Sequence, residues 1–331
     1  MPEARGRHET GAAAASAQAA GSIIAGAASS NYRLMSGPWE RFRENRAAVT
    51  ALALLLLISA ACFGTLGWSA GRMRVQQLDA ARQPPSRAHI LGTDELGRSL
   101  LWRTLYGGAI SLSLGLLAAG VSIVIGTAYG LVAGYLGGRW DELMMRAVDV
   151  LYTLPYMLLV MLFAVSIGAW LESRRVLGGE WSRFFVLALA IGGVSWLTMA
   201  RVVRGQVLSL REQPFVEAAR ALGLPTSRIL LRHLLPNLSG PILVFAALTV
   251  PQAILQESFL SFLGVGIQPP QATWGSLAAD GVHLLNPIQF DWWLVVVPCV
   301  ALSVTLLALN FVGDGIRDAL DVKQSRGVSP R

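Results

Sequence analysis

The chain has 331 residues, of which 53% are hydrophobic and only 14% charged, and 27 basic against 20 acidic residues give a formal net charge of +7. A mean hydropathy of +0.52, carried by long apolar runs, excludes an ordinary soluble domain and points to an integral membrane protein. The basic excess does not call for nucleic acid, because the arginines are dispersed along the flanks of the apolar runs, where a charge girdle at the membrane surface is expected. Lys323 is the only lysine, and Cys62 and Cys299 both lie inside apolar runs, so neither a disulfide framework nor a cysteine-rich metal site is implied.

Residues 1–37 are rich in Ala, Ser and Gly, and their apolar stretch at 22–28 is too short to span a bilayer. Arg5 and Arg7 precede small residues, but no signal-peptide core follows them, so a disordered cytoplasmic tail is expected. A helix crosses the hydrocarbon core, about 30 Å, in about 20 residues. Charge-free windows near that length predict six spans, at 47–67, 104–138, 150–171, 184–200, 234–256 and 292–313. The second window is read as one span near 110–134, leaving through Gly137 and Gly138 ahead of Arg139, Asp141 and Glu142; the fifth should run past Glu257 to Gly264. With the N-terminus inside, 18 basic residues fall on the cytoplasmic side and nine outside, six of the nine in the first external loop. The fold class is therefore an all-α polytopic membrane protein with six transmembrane helices and both termini cytoplasmic.

Between the first two spans, residues 91–99 read LGTDELGRS. Thr93 is expected to cap an interfacial helix whose first turn holds Asp94 and Glu95 and whose buried side carries Leu96, Leu100 and Leu105. In the second span, Gly126, Gly130 and Gly134 form a GxxxGxxxG ridge, the pattern that lets membrane helices pack closely. Packing within the chain is the favoured reading, and contact with a partner chain the alternative. Asp149 lies three residues after Arg146 and can pair with it on one helix face. Pro155 and Pro251 should kink the third and fifth spans.

Residues 217–236 read EAARALGLPTSRILLRHLLP, a charged, helical segment set between apolar runs. Pro214 suits the first turn of a helix, and Phe215, Ala218 and Leu222, at i, i+3 and i+7, give that helix one apolar, mostly small face. Gly223 can take the left-handed conformation that stops the helix, and Pro225 suits the start of the next, which should run through Ile229, Leu230, Leu234 and Leu235 until Pro236 interrupts it. Glu257 lies deep in the fifth run, where an ionisable side chain is a candidate pathway or gate residue by default. Outside, residues 268–275 (QPPQATWG) form a Pro-stiffened loop bearing a Trp, and Trp292 and Trp293 are expected to anchor the last span at the interface.

This pattern resembles the EAA loop of ABC importer permeases, which runs Glu-Ala-Ala, three residues, Gly, nine residues, then Ile-x-Leu-Pro. Glu217, Ala218, Ala219, Gly223, Leu235 and Pro236 match in register, and His233 stands where the pattern has Ile. Four further segments resemble the dipeptide, oligopeptide and nickel branch of that family, in the same order: residues 91–99, DELMMRAVDVLYTLP at 141–155, ESFLSFLGVGIQPP at 257–270, and NFVGDGIRDALD at 310–321, where Val322 replaces a usual Pro. The chain is similar to the shorter of the two permease types in those systems. The resemblance implies an ABC importer type I transmembrane domain of the bacterial inner membrane. Its coupling loop would contain Glu217, Ala218, Ala219, Leu222, Gly223, Pro225, Leu235 and Pro236. The expected organisation is a tail at 1–37, the first span and external loop at 38–103, the transmembrane domain at 104–315 with coupling helices at 211–236, and a cytoplasmic tail at 316–331.

The resemblance also implies partners: a second homologous permease, two ABC ATPase subunits or domains, a periplasmic or lipid-anchored substrate-binding protein, and membrane lipid. Di- and oligopeptides are the expected cargo, with nickel chelates, glutathione or opine-like solutes as alternatives. No P-loop is present, so ATP with magnesium is expected to be used by the partner subunits, with no cofactor or metal on this chain. An intramembrane hydrolase is disfavoured, since no GxSxG or HExxH occurs and His8, His89, His233 and His283 lie outside the spans. A secondary carrier remains the rival from another class, but it leaves the hinged loop unexplained.

Overall fold

A computed structural model describes residues 37–174, 181–284 and 291–320. Most of the predicted tails, 1–36 and 321–331, lie outside the described residues, as do Val322 and Lys323. The described chain is helical, with one isolated bridge between Thr93 and Ser99. Its helices are α1 (Pro38–Glu44), α2 (Arg46–Gly64), α3 (Leu66–Arg72), α4 (Leu100–Leu136), α5 (Gly138–Thr153), α6 (Tyr156–Arg174), α7 (Ser182–Leu210), α8 (Pro214–Ala221), α9 (Ser239–Phe262), α10 (Trp274–His283) and α11 (Trp293–Leu320). Among the described residues, α2, α4, α7, α9 and α11 are long and apolar enough to cross a membrane, and α5 with α6 make a sixth span if that bent pair counts as one.

The centre of the fold is the seam between α4 and α7. A Cβ built on Gly126 would lie 2.5 Å from the Cβ of Met199, one on Gly130 2.5 Å from the carbonyl oxygen of Ala200, and one on Gly134 2.8 Å from the Cβ of Val207. Gly192 answers from α7, where a Cβ would meet the Ala118 carbonyl at 2.6 Å. Small residues on both sides let the backbones meet, which is how helices associate where lipid removes the hydrophobic drive. The apolar windows of α4 and α7 are 56% and 61% buried, against 17% for α2, which fixes α2 at the periphery. At 37 residues, α4 is about 55 Å long and outreaches the hydrocarbon core. It stops at Gly137 and Gly138, both with positive φ, and Arg211 donates to the orphan carbonyl of Gly134 at 3.0 Å.

The third window is not a straight span. Leu154 is extended, with φ −79° and ψ 140°, because Pro155 excludes helical geometry in the residue before it. The pieces on either side meet at 99°. Pro251, in contrast, is buried inside α9 without breaking it. Asp149 pairs with Arg201 of α7 at 2.9 Å rather than with Arg146 on its own helix, and Arg204 holds Asp141 through two bonds of 2.6 Å, so α5 is tied to α7 by charge.

Two expectations for the outer segments are corrected. Thr93 caps no helix: its hydroxyl donates to the Ala80 carbonyl at 2.5 Å and accepts from the Gln83 amide at 2.8 Å, and α4 begins only at Leu100. Instead of an interfacial helix, residues 91–99 are turns closed on buried Asp94, whose Oδ2 accepts from Arg98 at 2.6 Å and Arg103 at 2.7 Å, while Arg103 also reaches Asp280 at 3.4 Å. The tryptophans differ too. Trp274 starts α10 behind a Thr273–Ser276 capping box, is 1% exposed and donates to the Thr104 carbonyl at 2.9 Å. Trp293 is buried and donates to Thr93, which leaves Trp292 as the exposed member of that pair. Trp and Tyr need a partner for their polar atom when buried, and both indoles have one.

Candidate functional site: a half-anchored loop and a neutral cleft

Between α7 and α9 the chain folds back on itself. Pro214 occupies the first turn of α8, and the helix closes at Gly223, φ +71°. The Leu224 amide donates to the Ala219 carbonyl at 3.1 Å and the Gly223 amide to Arg220 at 2.9 Å, the paired bonds of a Schellman ending. Pro225 precedes the second helical stretch, which starts as Thr226–Arg228, widens to a π-helix over Ile229–Leu234 and returns to α-helix over Leu235–Asn237. Pro236 does not interrupt it: it follows directly on the π-helical turn, inside the continuous stretch. The path continues through Leu238 into α9.

One side of this loop is anchored. Val216, Ala219, Ile229, Leu234 and Leu238 are buried together with Val203 and Val207 of α7 and Leu131 of α4. The predicted apolar face lies on the other side: Phe215 is 40% exposed, Leu222 80%, and Ala218 is exposed as well. Glu217, Gly223, Pro225 and Pro236 are also exposed, whereas Ala219 is buried and Leu235 half-buried. Arg220 lies over the Tyr135 ring, 5.0 Å from its centroid. An exposed apolar face on a segment already fixed by its opposite side makes this loop a candidate contact surface.

The second feature is a cleft of about 580 Å³ between α7, α9 and the α5–α6 bend. Its polar lining comes from Tyr152, Thr153, Tyr156, Ser195, Thr198, Thr249, Gln252 and Gln256, and among the described residues no charged side chain lines it. Tyr156 donates to Gln256 and shares a 3.2 Å bond with Ser195, while Tyr152 and Thr198 are 2.5 Å apart and Arg201 lies over the Tyr152 ring. The bend is thus tied to α7 on both sides of Pro155. These residues carry no motif, and their one mark in the sequence is that Thr249, Gln252 and Gln256 fall at i, i+3 and i+7, a polar stripe along an apolar helix.

Glu257 is placed elsewhere. One residue along α9 from Gln256, its side chain is fully buried and does not line the cleft; Oε1 accepts from Ser261 at 2.7 Å and from Thr273, the cap of α10, at 2.8 Å. It joins α10 to α9 rather than facing a path. The glycines at 126, 130 and 134 face α7 of the same chain, so that ridge is already occupied.

A family model described as binding-protein-dependent transport system inner membrane component matches residues 126–326. The chain is 43% identical over 288 residues to the dipeptide transport system permease protein DppC of Bacillus subtilis, covering 87% of this chain and 85% of that one. It is 44% identical over 287 residues to the oligopeptide transport system permease protein OppC of Escherichia coli K12, with 86% and 89% covered. Among solved structures, a chain of the MetNI methionine ABC transporter, in a structure of its inward-facing conformations, superposes with a TM-score of 0.50 at 17% identity, covering 66% of this chain and 96% of that one. At that identity the likeness concerns the fold.

Proposed function

This chain belongs to the binding-protein-dependent transport system inner membrane component family, and on that premise we propose that it is one of two permease subunits of an ATP-driven importer of dipeptides and short oligopeptides. Family membership makes it a multi-pass inner-membrane transport component that works with ATPase and substrate-binding partners. In our reading the partners are a second, homologous permease, two ATPase subunits that use ATP with magnesium, and a periplasmic or lipid-anchored binding protein. Both termini and the 214–237 loop lie on the cytoplasmic side. The cargo is inferred from relatives whose names specify dipeptides and oligopeptides.

One observation carries the reading: the loop is held to α4 and α7 by Val216, Ala219, Ile229 and Leu234 while Phe215, Ala218 and Leu222 stay exposed. Seated in an ATPase subunit, that face would feel each closure of the ATPases, and its anchored side would pass the displacement to α7 and α9, which wall the cleft. Those helices would then open the cleft to one side of the membrane and then to the other. The test is reconstitution of the full complex in proteoliposomes with binding protein and labelled dipeptide. ATP-dependent accumulation is expected; accumulation driven by an ion gradient without ATP would instead make the chain a secondary carrier.

A further inference from the structure

The cleft combines three properties that bear on what it touches. It lies among membrane-crossing helices, where polar side chains are found facing an interior or a water-filled path rather than lipid. Among the described residues its lining has amides and hydroxyls but no carboxylate, amine, guanidinium or imidazole, and Arg201, which lies over the Tyr152 ring, is paired with Asp149 at 2.9 Å. Its two glutamines also differ. Gln256 is held by Tyr156, whereas Gln252, one helical turn away and exposed, has no hydrogen-bond partner among the described residues.

A carboxamide offers donors and an acceptor together, which complements the N–H and C=O of a peptide bond and is indifferent to the charge of a side chain. We propose that solute crosses this half of the pathway by hydrogen-bonding its amide backbone to neutral groups, with Gln252 the first contact, so that the permease step does not discriminate by side-chain charge. The inference rests on the peptide-importer reading and specifies what its pathway recognises. Tyr156 and Ser195 act as positioning residues, fixing Gln256 so that Gln252 alone projects freely from this turn of α9.

The experiment uses the complete complex in proteoliposomes at saturating loaded binding protein, so that differences in capture affinity drop out. Alanylalanine, alanyllysine and alanylglutamate are the probes. Wild type should take up all three at rates within about threefold of one another, while Gln252→Glu should slow alanylglutamate relative to alanylalanine by about tenfold and Gln252→Lys should do the same to alanyllysine, as expected for like charges facing each other in a poorly screened cleft. Unshifted ratios in both variants, with ATPase stimulation and alanylalanine uptake intact, would overturn the proposal, as would tenfold charge selectivity in wild type. If neither Gln252 variant assembles, Thr198→Glu and Thr198→Lys on the α7 wall are read by the same criteria. Failure of wild type to take up any peptide is a different result, which removes the peptide-importer reading itself.

Discussion

The seam between α4 and α7 and the loop at 214–237 are built from similar side chains, small and aliphatic, yet they end in opposite states. In the seam, glycines at 126, 130, 134 and 192 bring two backbones so close that a methyl group would clash. In the loop, alternate positions are spent differently: Val216 and Ala219 are buried, while Phe215, Ala218 and Leu222 remain exposed. The contrast separates apolar residues that hold the chain together from apolar residues that the fold leaves exposed. Periodicity marks both kinds equally, and only the assembled fold tells them apart.

The sharpest way to break that contrast is to overfill the seam. Gly130→Leu forces a side chain against the Ala200 carbonyl, where a Cβ alone would sit at 2.5 Å; a cost of more than about 3 kcal/mol is expected, since backbone cannot give way as a side chain does. Size-exclusion profiles of the detergent-extracted complex should lose the folded species. A mild effect here would mean that the seam is looser than its geometry.

Leu222→Asp probes the other state. The residue is 80% exposed, so the isolated chain should fold normally, but a Leu buried in an interface contributes about 1.5–3 kcal/mol. Co-purification with the ATPase subunits should therefore weaken by tenfold or more, roughly. Undiminished co-purification would place the ATPase contact elsewhere.

Gly223→Val is smaller again. A β-branched residue at φ +71° resists that conformation by about 1–2 kcal/mol, and a built Cβ meets no neighbour there. Insertion and assembly should survive while uptake falls relative to ATP hydrolysis; wild-type coupling ratios in proteoliposomes would remove the lever role of the loop. Glu257→Gln should do least. The amide oxygen still accepts from Ser261 and Thr273, so uptake should stay within about twofold of wild type, whereas a marked fall in uptake with assembly preserved would put the residue back on the path.

Much of this architecture was legible because membrane helices are long and apolar and because Gly and Pro punctuate the loop by backbone geometry alone. The windows located α2, α4, α7, α9 and α11, and Pro214 and Gly223 stand at the two ends of α8. What escaped depended on residues far apart in the chain. Thr93 carries a local cap signal, but carbonyl and amide partners at Ala80 and Gln83 outcompete it. Arg103 meets Asp280 across 177 positions, and the cleft exists only once α7, α9 and the Pro155 bend are assembled. Glu257 stands out in the sequence by its charge, whereas the neutral Gln252 five residues earlier does not, because a cost of burial is easier to see in a sequence than a direction of exposure.

The π-helical stretch at Ile229–Leu234 carries a consequence for how such a chain can change. A π-helix accommodates a surplus residue in its turn, and one residue more or fewer rotates everything beyond it by about 100°. The stretch lies between the exposed face at Leu222 and the stripe of Thr249, Gln252 and Gln256, so it fixes the angular phase of one against the other. Variation in the identity of residues 229–234 should be tolerated wherever burial is kept; a change in their number would rotate the polar stripe away from the cleft and break the spacing between Gly223 and Leu235–Pro236.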